Sequence, residues 1–208
     1  MQKMKTLVVL SVALLLSACA STQRLSESDR SGLKAVTVST DVKKGKLFLL
    51  APGGANIGLM FGAVGGLAAS GTLDANQVAF STFVDAHAVS VGAIVREEFE
   101  KVLRESGKVA VVAAGTRGAP MMTVAVPQYG FGVPHLLSAN VVAVMQIQCA
   151  LTDSTGKVLW SESERIFPSI ASPMETTTWK QLHDDPKMID AQWRKAARYL
   201  ATKVVGTL

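Results

Sequence analysis

The stretch Asn140-Val-Val-Ala-Val-Met-Gln-Ile-Gln-Cys-Ala-Leu-Thr-Asp153, followed by Ser154-Thr155-Gly156 and by Lys157-Val-Leu-Trp-Ser-Glu-Ser-Glu-Arg165, sets the fold class. Val141, Ala143, Met145, Ile147, Cys149 and Leu151 alternate onto one face. Val142, Val144, Gln146, Gln148 and Ala150 take the other, which turns polar towards its end. That period of two, with Asp-Ser-Thr-Gly as turn chemistry and a return strand placing Val158 and Trp160 on one face, predicts a β-hairpin with Trp160 buried. Cys149, inside the apolar alternation, reads as a small buried hydrophobe.

Working outward, Pro120–Val126 is β-rich up to Pro127. Gln128–His135 contains Tyr129-Gly130-Phe131-Gly132 and Pro134 and reads as an irregular or edge strand. Lys108–Ala114 reads as a strand, and so does Lys34–Thr40, which is β-branched and alternating, while the charged run Asp41–Lys46 reads as a turn. Two helices frame these strands. Val84, Ala88, Val91, Val95, Phe99 and Val102 recur at helical spacing until Gly107 stops them, and Asp74 with Gln77 has the spacing of a capping box ahead of them. After Asp185-Pro186, an N-cap followed by proline at the first helical position, Trp193, Leu200 and Val204 line a closing helix. The expected fold is α/β in the α+β sense: a mixed sheet with a β-hairpin, packed by two amphipathic helices.

One segment stands apart. From Leu47 to Leu73 there is no charged side chain, and Gly54, Gly58, Gly62 and Gly66 fall four apart. Three readings stay open. The first is a glycine-rich loop. The second is a helix whose glycine stripe lets another backbone approach, either within the chain or from a second copy. The third is a membrane-inserted segment, since Ala55–Leu73 barely reaches the length of a span. A helix here needs compensation from packing or lipid, because each interior glycine costs about 0.8–1 kcal/mol relative to alanine.

Constellations for chemistry do not emerge. His87, His135 and His183 have no second ligand at metal spacing, Gly-x-Ser-x-Gly is absent, and no Gly-Lys-Ser or Gly-Lys-Thr follows the glycine row. The expectation is a protein that is not an enzyme and needs no cofactor or metal. The formal charge of +5 comes from scattered basic residues and falls to +3 without Lys3 and Lys5, which argues against a nucleic-acid partner.

The N-terminus supplies an address. Lys3 and Lys5 precede a short apolar run, Thr6–Leu16, and then Leu16-Ser17-Ala18-Cys19. A basic start, a short core and small residues at the cut describe a secretory signal, too short for a spanning helix. Leu-Ser-Ala-Cys resembles the lipobox of bacterial lipoproteins, which implies acylation of Cys19 as the first mature residue. Ala20 resembles the pattern for outer-membrane sorting. The expected organisation is a signal over 1–18, a flexible polar tether over 19–33, and one periplasmic domain over 34–208 with a glycine-rich insertion at 47–73. With Cys19 acylated, Cys149 has no cysteine partner within the chain.

The order of strand, helix ending in Ser-Gly, strand and hairpin with Asp-Ser-Thr-Gly-Lys-Val-Leu-Trp-Ser-Glu resembles a further group. It is similar to the periplasmic α/β domain shared by the N-terminal part of TolB, the penicillin-binding-protein activator and the curli secretion lipoprotein. The resemblance covers Lys34–Thr40 and Val84–Arg165, and it implies protein–protein contacts in envelope assembly or maintenance, with an unidentified envelope partner and scope for self-association. The alternative is an oligomeric pore or secretion component that inserts the 47–73 segment.

Overall fold

The computed structural model describes residues 22–51, 57–62 and 73–208. The fold is α+β: one seven-stranded mixed sheet with helices on one face. In chain order the elements are α1 (Glu27–Gly32), β1 (Ala35–Val38), β2 (Lys43–Leu50), a 3-10 turn (Ile57–Leu59), α2 (Leu73–Ala86), α3 (Val91–Ser106), β3 (Ala110–Val112), β4 (Met121–Gly132), β5 (Asn140–Thr152), β6 (Val158–Ile166), β7 (Thr177–Thr178), α4 (Trp179–Asp184) and α5 (Lys187–Gly206).

The hairpin forms, but a register shift between Leu151 and Thr152 sets Val158 opposite Thr152 and leaves it exposed, so it does not share the buried face of Trp160 as the alternation predicts. β5 and β6 pair antiparallel with Leu151 opposite Trp160 and Met145 opposite Ile166. Trp160 is buried beneath the helices together with Cys149 and Leu151. β4 lies on the other side of β5 and is the sheet's centre rather than its edge. It runs unbroken from Met121 to Gly132 and absorbs Pro127 in a register shift between Ala125 and Gln128. Proline is tolerated there because a bulge leaves its missing N–H without a ladder partner to lose.

β1 and β2 line up one after the other along β4, both parallel to it. The lysine-rich run expected as a turn is therefore the start of β2, with Lys43 opposite Ala125 and Leu50 opposite Gly132. Its lysines are exposed on the strand, the usual way to keep a sheet margin soluble.

The long apolar stripe expected as one helix is two. α2 ends at Ala86, Ala88 takes a φ of 55°, and Ser90 caps α3 by accepting from the Ala93 N–H at 3.4 Å. The axes bend by 64° across this break. Gly107, at φ 62°, ends α3 at the expected place. Its buried side, including Val95, Phe99 and Val102, covers the sheet beside α5, which buries Trp193, Leu200 and Val204. Arg194 joins the two helices on their outer side, bonding Glu97 at 2.7 Å and Asp190 at 2.7 Å, and these carboxylates raise its already high pKa further. The Asp185 side chain accepts from the Lys187 N–H at 3.1 Å, but α5 begins at Lys187 with Pro186 in the N-cap position, one residue later than the Asp-Pro pattern predicts.

The expected tether is shorter than its polar composition suggests. Gln23 pairs with Ser161 of β6 through backbone bonds of 2.9 and 3.0 Å, Leu25 is buried, and Ser26 caps α1. Arg30 then bonds the Leu208 carbonyl at 2.8 Å. Single apolar anchors such as Leu25 do not show as periodicity, which is why serine-rich composition misreads this stretch. Among the described residues no single helix is long and apolar enough to cross a membrane.

Candidate functional site

Cys19, Gly54 and Gly66 lie outside the described residues; Gly58 and Gly62 lie within them. The two described glycines do not continue one helix. Gly58 is the middle of the 3-10 turn Ile57–Leu59, and Gly62 has a φ of 90°, a conformation that ends a right-handed helix. The stripe expected through Gly58 and Gly62 is thus interrupted at its centre. Glycine spacing alone does not reveal this, since it reports which side chains are missing and not the backbone angles that their absence permits.

What holds this piece of the insertion is its neighbours. The Gly58 N–H donates to the Asn76 Oδ1 at 2.7 Å, and Asn76 is a buried polar residue on α2. Phe61 enters an aromatic cluster, edge-on to Phe80 at 4.9 Å, Phe83 at 5.0 Å and Trp179 at 6.1 Å. Pairs of this geometry add about 0.5–1.5 kcal/mol beyond the area they bury. His183 closes the outside of the cluster, stacked on Phe83 at 5.5 Å. Phe61 and Asn76 carry no functional signal in the sequence, because each matters only through a contact distant along the chain.

Two concavities flank the sheet. A small one of about 160 Å³ is lined by Lys44, Asp85, Tyr129 and Trp193 among others. Burial, with a contribution from the Asp85 charge, raises the Tyr129 phenol above its ordinary range, so it stays protonated. The larger, about 590 Å³, lies over Thr123, Ala125, Gln148, Ala150, Ser161 and Ser163. These residues of β4, β5 and β6 face away from the helices and are small or polar, with the exposed Val158 and Met121 on the same side. Cys149 faces the other way, and burial, with the Glu162 charge, pushes its thiol far above the ordinary range. It is a packed side chain, poorly suited to act as a nucleophile. Among the described residues no three of His, Cys, Asp or Glu gather into a metal-binding group. His87 Nδ1 sits 2.7 Å from the Phe83 carbonyl, and His183 Nδ1 pairs with Asp184 at 3.2 Å.

No protein-family model and no curated protein matches the chain. Among solved structures, the chain is similar to the PelC dodecamer from Paraburkholderia phytofirmans at 18% identity and TM-score 0.43, over 90% of this chain and 94% of that one. A single-substitution variant of that dodecamer gives 16% and 0.42, over 90% and 92%. A Xanthomonas campestris protein gives 16% and 0.41 over 55% of this chain, which spans about three fifths (59%) of that protein's length. At these identities and scores the likenesses carry no functional argument.

Proposed function

We propose that this chain is a lipid-anchored protein of the bacterial outer membrane, facing the periplasm and acting without catalysis through protein–protein contacts in envelope assembly or maintenance. The observation that carries the reading is the Leu16-Ser17-Ala18-Cys19 sequence behind a basic start and a short apolar run. One acyl chain binds a membrane marginally and two anchor it, so a Cys19 carrying a diacylglycerol and an amide-linked acyl chain suffices without a spanning helix. Small, polar side chains on the open sheet face and packed titratable groups suit contact rather than turnover. The partner is another envelope protein, and self-association belongs to the same reading.

The test is metabolic labelling with a radioactive fatty acid. The unsubstituted chain takes label, and Cys19→Ala takes none and accumulates as uncleaved precursor. Label on Cys19→Ala ends the reading. The pore or secretion alternative, which inserts the 47–73 segment, draws support from the lack of charge in that segment. The docking of Phe61 and Gly58 onto α2 favours the anchored domain. Cys19→Ser behind a cleavable signal separates the two: an anchored domain becomes soluble without detergent, and an inserted one stays in the membrane.

A further inference from the structure

The smaller concavity lies where two helices meet at their ends. α2 stops at Ala86, Ala88 turns the chain at a φ of 55°, and α3 starts at Val91. The cavity, about 160 Å³, is lined by Ser81 and Asp85 of α2, Lys44 of β2 and Tyr129 of β4, together with Phe80 and Trp193. Phe80 and Trp193 are buried and make an apolar floor, while Lys44 and Asp85 are exposed at the rim.

The fold makes no use of these polar groups. Neither Lys44 nor Asp85 forms an ion pair among the described residues, with each other or with any other side chain. The Tyr129 and Ser81 hydroxyls likewise have no hydrogen-bond partner among the described residues.

Helix electrostatics does not account for the two charges either. Asp85 stands in the last turn of α2, where the helix dipole disfavours an acid and no basic residue balances it. Lys44 passes the first turn of α3: its Cγ lies 3.8 Å from where a Cβ on Gly92 would stand, and that turn holds no acid. A cation beside a helix start is also on the disfavoured side of the dipole. Two opposite charges are thus each held beside a helix end of their own sign, on one cavity, without pairing.

We propose that this cavity binds a free α-amino acid with an apolar side chain, its ammonium on Asp85, its carboxylate on Lys44 and its side chain over Phe80 and Trp193. A zwitterion satisfies both sides at once. Its ammonium offsets Asp85 at the end of α2, and its carboxylate offsets Lys44 at the start of α3. A simple cation or anion would meet one of the two charges and be repelled by the other. The Tyr129 phenol, kept protonated by its burial, adds a neutral donor to the polar side. Size restricts the occupant too. A cavity of roughly 150 Å³ holds one benzene molecule, so about 160 Å³ takes one small molecule of that order and excludes a nucleotide or a polymer. The inference goes beyond the envelope-contact reading and stands independently of the anchor.

The test is isothermal titration of the full chain with L-valine, L-leucine and L-methionine. Two half-ligands of leucine serve as controls: isocaproate, which lacks the ammonium, and isoamylamine, which lacks the carboxylate. At least one amino acid saturates a single site per chain, and both half-ligands bind about tenfold more weakly or worse, as the loss of a charge-assisted contact requires. Asp85→Asn and Lys44→Gln each weaken amino-acid binding by a similar factor. Without ligand, the thermal midpoint of both variants holds or rises, because each removes a charge from the wrong end of a helix. No saturable binding of any of the three amino acids, isocaproate binding as tightly as leucine, or unchanged affinity in either variant overturns the inference. So does a lowered midpoint in the unliganded variants, which would show that the two charges serve the fold.

Discussion

The β5–β6 hairpin and the parallel pairing of β2 with β4 use the same ladder chemistry, yet only the first is written in contiguous sequence. In the hairpin, alternation, turn and return strand follow one another, and Trp160 lands opposite Leu151 as the pattern requires. In the parallel pair, Lys43 meets Ala125 across a long intervening chain, and the closest backbone approach depends on glycines that look like loop residues. Local pairing announces itself through periodicity. Distant pairing shows only where two backbones need each other's missing side chains.

The largest expected effect is on the hairpin side. Trp160 is buried between the sheet and the helices, so Trp160→Ala should destabilise the domain by about 3–5 kcal/mol. Chemical denaturation measures it. An unchanged midpoint would mean that the tryptophan does not fill the core as its burial indicates.

The next effect probes the parallel pair. Gly130 has a φ of 145°, and a Cβ there would meet the Phe48 carbonyl oxygen at 1.9 Å. Gly130→Ala adds strain of about 1–3 kcal/mol to a comparable clash. Amide exchange should show Lys43–Leu50 losing protection while β5 and β6 keep theirs. Uniform loss across all three strands would show that the parallel pair and the hairpin open as one unit.

The same contrast explains what could be read in advance. The α+β class, the hairpin pairing and the end of α3 at Gly107 are local patterns, and all are present; α5 starts at Lys187, one residue past the Asp185-Pro186 pattern. The break between α2 and α3 was hidden because Ala88 adopts its unusual φ where hydrophobic spacing continues undisturbed. β2 was hidden because lysines on a strand margin resemble a charged turn. The short helix α4 escaped because its capping box, Thr178 with Gln181, follows a proline- and threonine-rich run that reads as loop. Of the candidate site, the glycine row was visible as composition, but its anchors Asn76 and Phe61 depend on contacts with distant parts of the chain.

A smaller effect tests that anchor. Asn76 is buried and accepts the Gly58 N–H at 2.7 Å. Asn76→Ala leaves that donor without its partner, at a cost of about 1–3 kcal/mol. Because α2 keeps its aromatic contacts, the loss should appear first as faster exchange at Gly58 and Phe61. Unchanged exchange there would transfer the anchoring role to Phe61 alone.

The smallest effect returns to the hairpin, at its turn. The Asp153 Oδ1 accepts from the Thr155 hydroxyl at 2.7 Å, the Thr155 N–H at 2.8 Å and the Lys157 N–H at 3.0 Å. The Thr155 hydroxyl contributes most to holding this carboxyl below its usual range, and the two backbone donors and the Lys157 charge act in the same direction. A carboxylate with a depressed folded-state pKa binds protons more weakly than in the unfolded chain, where the value is near 3.9. Its contribution is therefore complete above that unfolded value and is lost as pH falls through the folded one. The group is fully exposed, so the effect is slight and is best read directly. Carbon-detected NMR titration should place the Asp153 midpoint below that of an ordinary aspartate, and Thr155→Val should move it back upwards, with the rest of the hairpin's shifts unchanged. A midpoint insensitive to Thr155→Val would assign the depression to the backbone donors instead, making the turn's geometry, rather than its threonine, the source of the hairpin's local signal.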